Sequence, residues 1–181
     1  MIIEGGTGNG YKTGVNEENM LLVRSVISNL EFHANSHEQE AYSVQFAYTP
    51  TGAGDCFGYI KNNSDDDMVV SAIIMYCASD ETFSIKLGDE GTAAGGATVT
   101  PVNRNAGSGN LADVTAEGAV DITGLSGGSV VAGLFVKGGE TSTKIEIKSG
   151  LIIPKNKMIS FYVATGTAAV KFGAEIYFHH E

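Results

Sequence analysis

Tryptophan is absent from this 181-residue chain, proline occurs 3 times, cysteine twice, and lysine plus arginine 11 times. Each shortage removes a class of explanation. Sugar-cleaving clefts usually carry tryptophan or dense tyrosine for stacking, which weakens a glycosidase reading. Two thiols do not make a disulfide framework. Cys56 and Cys77 both fall in apolar, strand-like stretches, where reduced cysteine acts as a small hydrophobe. Eleven basic residues against 21 acidic ones leave a net charge of -10. That argues against nucleic acid as a partner, because phosphate binding needs a dense basic patch. The longest apolar stretch, Met68 to Ala78, is broken by Ser71 and falls short of the ~20 residues of a spanning helix, so no membrane partner is expected. The opening Met-Ile-Ile-Glu-Gly-Gly lacks the basic and apolar regions of a secretory signal. Synthesis and retention in a cytoplasm are expected.

Glycine is what the chain has in excess: 24 residues, about 13% against the usual ~7%. With 43% apolar and 18% charged residues, that excess indicates tight turns between short strands and not disorder. The length fits one domain with a real core, plus an arm.

Period-two alternation dominates after residue 40. Tyr42, Val44, Phe46 and Tyr48 share one face, as do Phe83, Ile85 and Leu87, and Ile145 with Ile147. In the stretch 170–178, Val170, Phe172, Ala174, Ile176 and Phe178 face one way, and Lys171, Glu175 and Tyr177 the other. Three stretches are apolar on both faces: Met68 to Cys77, Ser129 to Val136, and Met158 to Ala164. These suit central strands covered by a second sheet or another subunit. Turn signals separate the runs, among them Thr51-Gly-Ala-Gly54, Asn62-Asn-Ser-Asp65, Gly88-Asp-Glu-Gly91 and Gly138-Gly139. About ten short strands predict an all-β antiparallel sandwich of jelly-roll type.

The first forty residues read differently. Gly5-Gly-Thr-Gly-Asn-Gly10 precedes Asn16-Glu-Glu-Asn19, which would cap a helix. Leu22, Val23, Val26, Ile27 and Leu30 fit helical spacing, yet a strand over Leu21 to Val26 fits nearly as well, so residues 17–32 stay open between helix and strand. The division predicted is an arm, residues 1–40, and a sandwich, residues 41–181.

No constellation carries chemistry. Gly5-x4-Gly10 is followed by Tyr11, not by the lysine of a phosphate loop, and no βαβ unit follows for a dinucleotide. His33 and His37 sit four apart but lack a third ligand, so surface histidines are expected. Asp65-Asp-Asp67 lacks the alternating spacing of a calcium loop and reads as a polar turn before a strand. No serine lies in a nucleophile elbow. Catalytic, cofactor-binding and metal residues are therefore expected to be none.

Several phrases together resemble tailed-bacteriophage virion proteins, chiefly head decoration or cement proteins. They are Gly8-Asn-Gly-Tyr-Lys-Thr-Gly-Val-Asn16, Asn19-Met-Leu-Leu-Val-Arg-Ser-Val26, Glu40-Ala-Tyr-Ser43, Tyr59-Ile-Lys-Asn-Asn63 and Thr100-Pro-Val-Asn-Arg-Asn-Ala-Gly-Ser-Gly-Asn110. The resemblance implies a jelly-roll module, often trimeric, clamped on a capsid lattice by its N-terminal arm. On that reading the chain is a non-enzymatic homo-oligomer with the major capsid protein as partner. It would sit on the exterior of the head after assembly in the host cytoplasm. Contact residues expected on the arm are Tyr11, Leu22 and Arg24. Two rivals follow from the same strands: a tail or fibre module whose loop Val102 to Leu111 binds host glycans, and a sandwich-fold hydrolase.

Overall fold

The computed structural model describes residues 30–139, 142–166 and 168–179. The described chain begins with a short helix α1 (Leu30–His33) continued by a π-turn (Ala34–Glu38). Strands follow: β1 (Ala41–Tyr48), β2 (Cys56–Asn62), β3 (Asp67–Cys77), β4 (Glu81–Leu87), β5 (Glu90–Ala94), β6 (Ala97–Thr98) and β7 (Val102–Asn103). Next come β8 (Val114–Gly118), β9 (Thr123–Ser126), β10 (Ser129–Val136), β11 (Thr143–Ile153), β12 (Met158–Val163) and β13 (Val170–His179). Among the described residues no helix is long and apolar enough to cross a membrane.

The topology is that of one long hairpin rolled on itself. Antiparallel pairs run from tip to base: β4 with β10, β3 with β11, β2 with β12, and β1 with β13. Rolling adds the pairs β13–β3 and β12–β4. Two sheets result, ordered β11-β3-β13-β1-β7 and β10-β4-β12-β2-β8-β6. The chain is an all-β antiparallel sandwich with the strand order of a jelly roll. Residues 88–128, inserted at the hairpin tip, supply β5 to β9. Of these, β5 and β9 form a separate ribbon, while β7 and β8 lie against the edges of β1 and β2.

Alternation builds the core as expected. Tyr42, Val44 and Phe46 from β1 and Phe83 and Ile85 from β4 belong to one buried cluster, and the inward row of β13 from Val170 to Phe178 is buried throughout. Five phenylalanines fill the centre. Phe161 and Phe172, from opposite sheets, have ring centroids 4.2 Å apart, and Phe57 reaches Phe172 at 5.6 Å. A second cluster lies on the outer face of the six-stranded sheet. There Cys56, Tyr59, Met158 and Tyr162 pack with Ala119 and Ile122, bordered by Ala93 and Leu125 of the ribbon. This cover explains why β12 is buried along its whole length. Both cysteines are buried and unpaired, and burial pushes the Cys56 thiol up to about 11.

Two readings change. Ser129–Val136 is not a central strand: among the described residues β10 ends its sheet, and Val130, Val131 and Phe135 are exposed. Its apolar character is not explained by the sandwich itself. Alternation puts Tyr177 on the solvent face of β13, yet it is buried with Ala34, Ala41 and Val69. The helical turn lies over that face and closes it. The arm's proposed contacts Tyr11, Leu22 and Arg24 lie outside the described residues, as does the helix-or-strand question up to residue 29. Leu30 to Phe32 are helical.

Candidate binding groove

Where the helical turn crosses the outer face of the five-stranded sheet, it leaves a groove of about 640 Å³. Its floor is made by Ser71 and Ala72 of β3, Lys144 and Glu146 of β11, and Glu175 and Tyr177 of β13; Leu30, Phe32 and Asn35 form one wall. The charges across it are linked. Arg104 pairs with Glu31 and lies 3.7 Å from Glu175, which also accepts from Lys144 Nζ at 3.0 Å. Glu31 thus joins the helical turn through Arg104 to the sheet. Burial, and next Glu31, raise the Tyr177 hydroxyl above its usual value. The side-chain oxygen of Asn35, on the groove wall, is buried and has no hydrogen-bond partner among the described residues.

Asparagines fix this geometry. Asn103 Nδ2 donates to the Gln39 carbonyl at 2.7 Å and its oxygen accepts the Asn105 N–H at 2.8 Å. Asn105 and Asn110 donate to the carbonyls of Asn35 and Glu38, at 3.1 and 3.2 Å. A short polar side chain bonding backbone groups replaces regular ladder pairing along this loop. The loop from Val102 to Leu111, which the glycan reading would present to a host, is thereby bound to the helical turn. Val102 and Leu111 remain exposed at its ends.

Two buried carboxylates lie elsewhere. Glu81 accepts the N–H groups of Thr82, Ala164, Thr165 and Gly166 at 2.8 to 3.1 Å. Burial alone would raise its pKa; the four donors outweigh burial and hold it below the usual range. Asp89 accepts from Ser160, from the Tyr162 hydroxyl at 2.9 Å and from the Gly128 N–H at 2.8 Å. Burial again opposes ionisation and these bonds, with nearby Lys86, prevail, so Asp89 also titrates low. Lys86 Nζ sits 3.8 Å from the centre of the Tyr162 ring. These carboxylates spend their acceptor capacity on loops and on the ribbon junction, so the geometry assigns them a structural part.

The other sequence candidates are placed as follows. His33 and His37 stack with ring centroids 5.0 Å apart, and His33 Nδ1 lies 3.4 Å from Glu38. Among the described residues no group of three or more His, Cys, Asp or Glu side chains is placed to hold a metal. Asp65 and Asp66 belong to a turn and Asp67 opens β3: buried Asn62 donates to the Asp66 and Ile153 carbonyls, and Lys155 pairs with Asp65. Neither the groove nor the clasp was read from the sequence; the asparagine cluster at 103, 105 and 110 was its visible trace. No family model, curated protein or solved structure matches the chain.

Proposed function

We propose that the chain is a non-enzymatic decoration protein of a tailed-phage head, binding the major capsid protein as a homo-oligomer. The observation carrying this reading is the clasped helical turn. Arg104 and three asparagines pin residues 31–39 to the sandwich. Residue 30, to which the first 29 residues are joined, is therefore held at a fixed point beside an open groove. A rigid sandwich with an anchored arm suits a part that binds across neighbouring lattice subunits. The phrases that resemble those of decoration proteins favour the same reading, and the net charge of -10 suits an abundant, soluble exterior protein that stays off nucleic acid.

Deleting residues 1–29 tests it. The truncated protein should keep its circular dichroism and cooperative unfolding while losing binding to empty heads by at least tenfold. Full occupancy by the truncated protein would remove the arm from the mechanism. A second reading, receptor or glycan binding by a tail module, draws on the groove, whose wall carries the Asn35 oxygen, unpartnered among the described residues. Saturable glycan binding by the full chain, with no affinity for heads, would select it.

A further inference from the structure

A jelly roll has two sides at which sheet edges meet. On one side β7 and β8 lie beyond β1 and β2. On the other, β10 and β11 end their sheets, with no further neighbour among the described residues. Exposed edges are templates for pairing, and proteins usually blunt them with lysine, proline, brevity or inward charge. β10 runs eight residues as Ser-Val-Val-Ala-Gly-Leu-Phe-Val, with no ionisable side chain and no proline. Its single irregularity is a bulge at Val131; from Ala132 to Val136 it runs in regular register with β4. Val130, Val131 and Phe135 are 57%, 45% and 66% exposed, and Ile152 on β11 is 56% exposed. Ile152 also lines an apolar cleft of about 190 Å³ with Leu87 and Met158. Leu87 is the residue paired with Ser129 at the start of β10.

We propose that β10 pairs antiparallel with β10 of a second copy, joining two six-stranded sheets across a two-fold axis. This rests on the homo-oligomeric reading above and names the surface that makes it. Charge selects the partner. Residues 129–153 carry three lysines against two glutamates, a net +1 in a chain of -10. Two copies repel one another as whole molecules, and this side, which adds no acidic excess of its own, is where that repulsion is smallest. Closure also follows. A three-fold ring built by sheet extension needs two different long edges, but the opposite side ends in β6 and β7, each of two residues. An interface that uses one edge twice is isologous. A two-fold pair therefore replaces the three-fold that the family resemblance implies.

Sedimentation equilibrium of the full chain from 1 to 100 µM should give a dimer. Phe135→Lys and Val131→Lys, both at exposed positions, should weaken it by roughly tenfold or more, since each puts an ammonium into an apolar contact. Their melting temperatures under monomeric conditions should match that of the parent. Hydrogen exchange adds a second readout: amides of residues 129–136 should gain protection as protein concentration rises. A monomer throughout the range overturns the proposal, as does a dimer indifferent to both variants. A trimer that survives them keeps the homo-oligomeric reading and overturns this surface. A monomer that dimerises only after removal of residues 1–29 assigns the edge to the chain's own arm and overturns it too. Head binding by Phe135→Lys at full occupancy would leave the decoration reading standing independently.

Discussion

At the level of single residues, Glu81 shows how a buried acid can serve the fold. It is 2% exposed and its two oxygens gather four backbone N–H groups, three of them from the loop between β12 and β13. Gly166 completes that loop at φ +60°, where a Cβ would stand 1.9 Å from the Gly52 carbonyl oxygen, so a side chain is excluded. Glu81→Gln keeps the shape but trades a charged acceptor for an amide whose N–H₂ faces donors. A loss of about 1–3 kcal/mol is expected in urea unfolding at pH 7. The sign of the pH dependence follows from the lowered pKa of Glu81 in the folded state. Its stabilisation is complete above the ordinary carboxylate value of about 4.3 and is lost as pH falls through the folded value. The gap in melting temperature between parent and Glu81→Gln should therefore narrow between pH 6 and pH 3. A gap that widened on acidification would show that the carboxylate is not what the loop binds.

At the level of elements, the clasp between the loop 103–110 and the helical turn joins the insertion to the root of the arm. Asn103 is its centre, bonding Gln39, Ser108, Asn105 and Asn110. Asn103→Ala should cost only about 1 kcal/mol globally, because most of these groups can turn to water. Locally it should do more: limited proteolysis should cut near residues 30–40 and 103–111 several times faster, with the sandwich strands unaffected. Equal cleavage in parent and variant would mean that the salt bridge of Arg104 with Glu31 holds the turn unaided. The same elements show what could be read beforehand. Strands whose alternation is unbroken, such as β1 and the inward row of β13, were legible because one face is buried and the other wet. Bulges defeat that rule. In β2 the pairing shifts between Cys56 and Gly58, so Phe57 and Ile60 both enter the core although they lie an odd number apart. For β10, hydrophobicity indicated burial but not by what, since a central strand and an edge awaiting a neighbour carry the same residues. The groove was illegible because it is assembled from the turn, β3, β11, β13 and Arg104, lining residues as distant in sequence as Leu30 and Tyr177 that no local pattern relates.

At the level of the whole molecule, charge and topology meet. A net charge of -10 opposes any association of identical copies, and the opposition acts over the whole surface, whereas β10 supplies attraction along one edge. The two contributions respond differently to salt. Long-range repulsion is screened over ~10 Å at 0.1 M salt, compared with ~30 Å at 0.01 M. Burial of Val130, Val131 and Phe135 against a second copy is not weakened by salt at these concentrations. Self-association should therefore tighten on going from 10 to 200 mM sodium chloride, by about three- to tenfold in the dimer dissociation constant. It should tighten again as pH is lowered from 7 to 5.5 toward the isoelectric point near 4.7, while Glu81 and Asp89, both titrating low, remain ionised and the fold intact. Sedimentation equilibrium across that grid of salt and pH reads both effects. Weaker association at higher salt would mean that ion pairs across the interface, and not the uncharged strand, hold the copies together, and would move the contact away from β10 to the charged rim of β11.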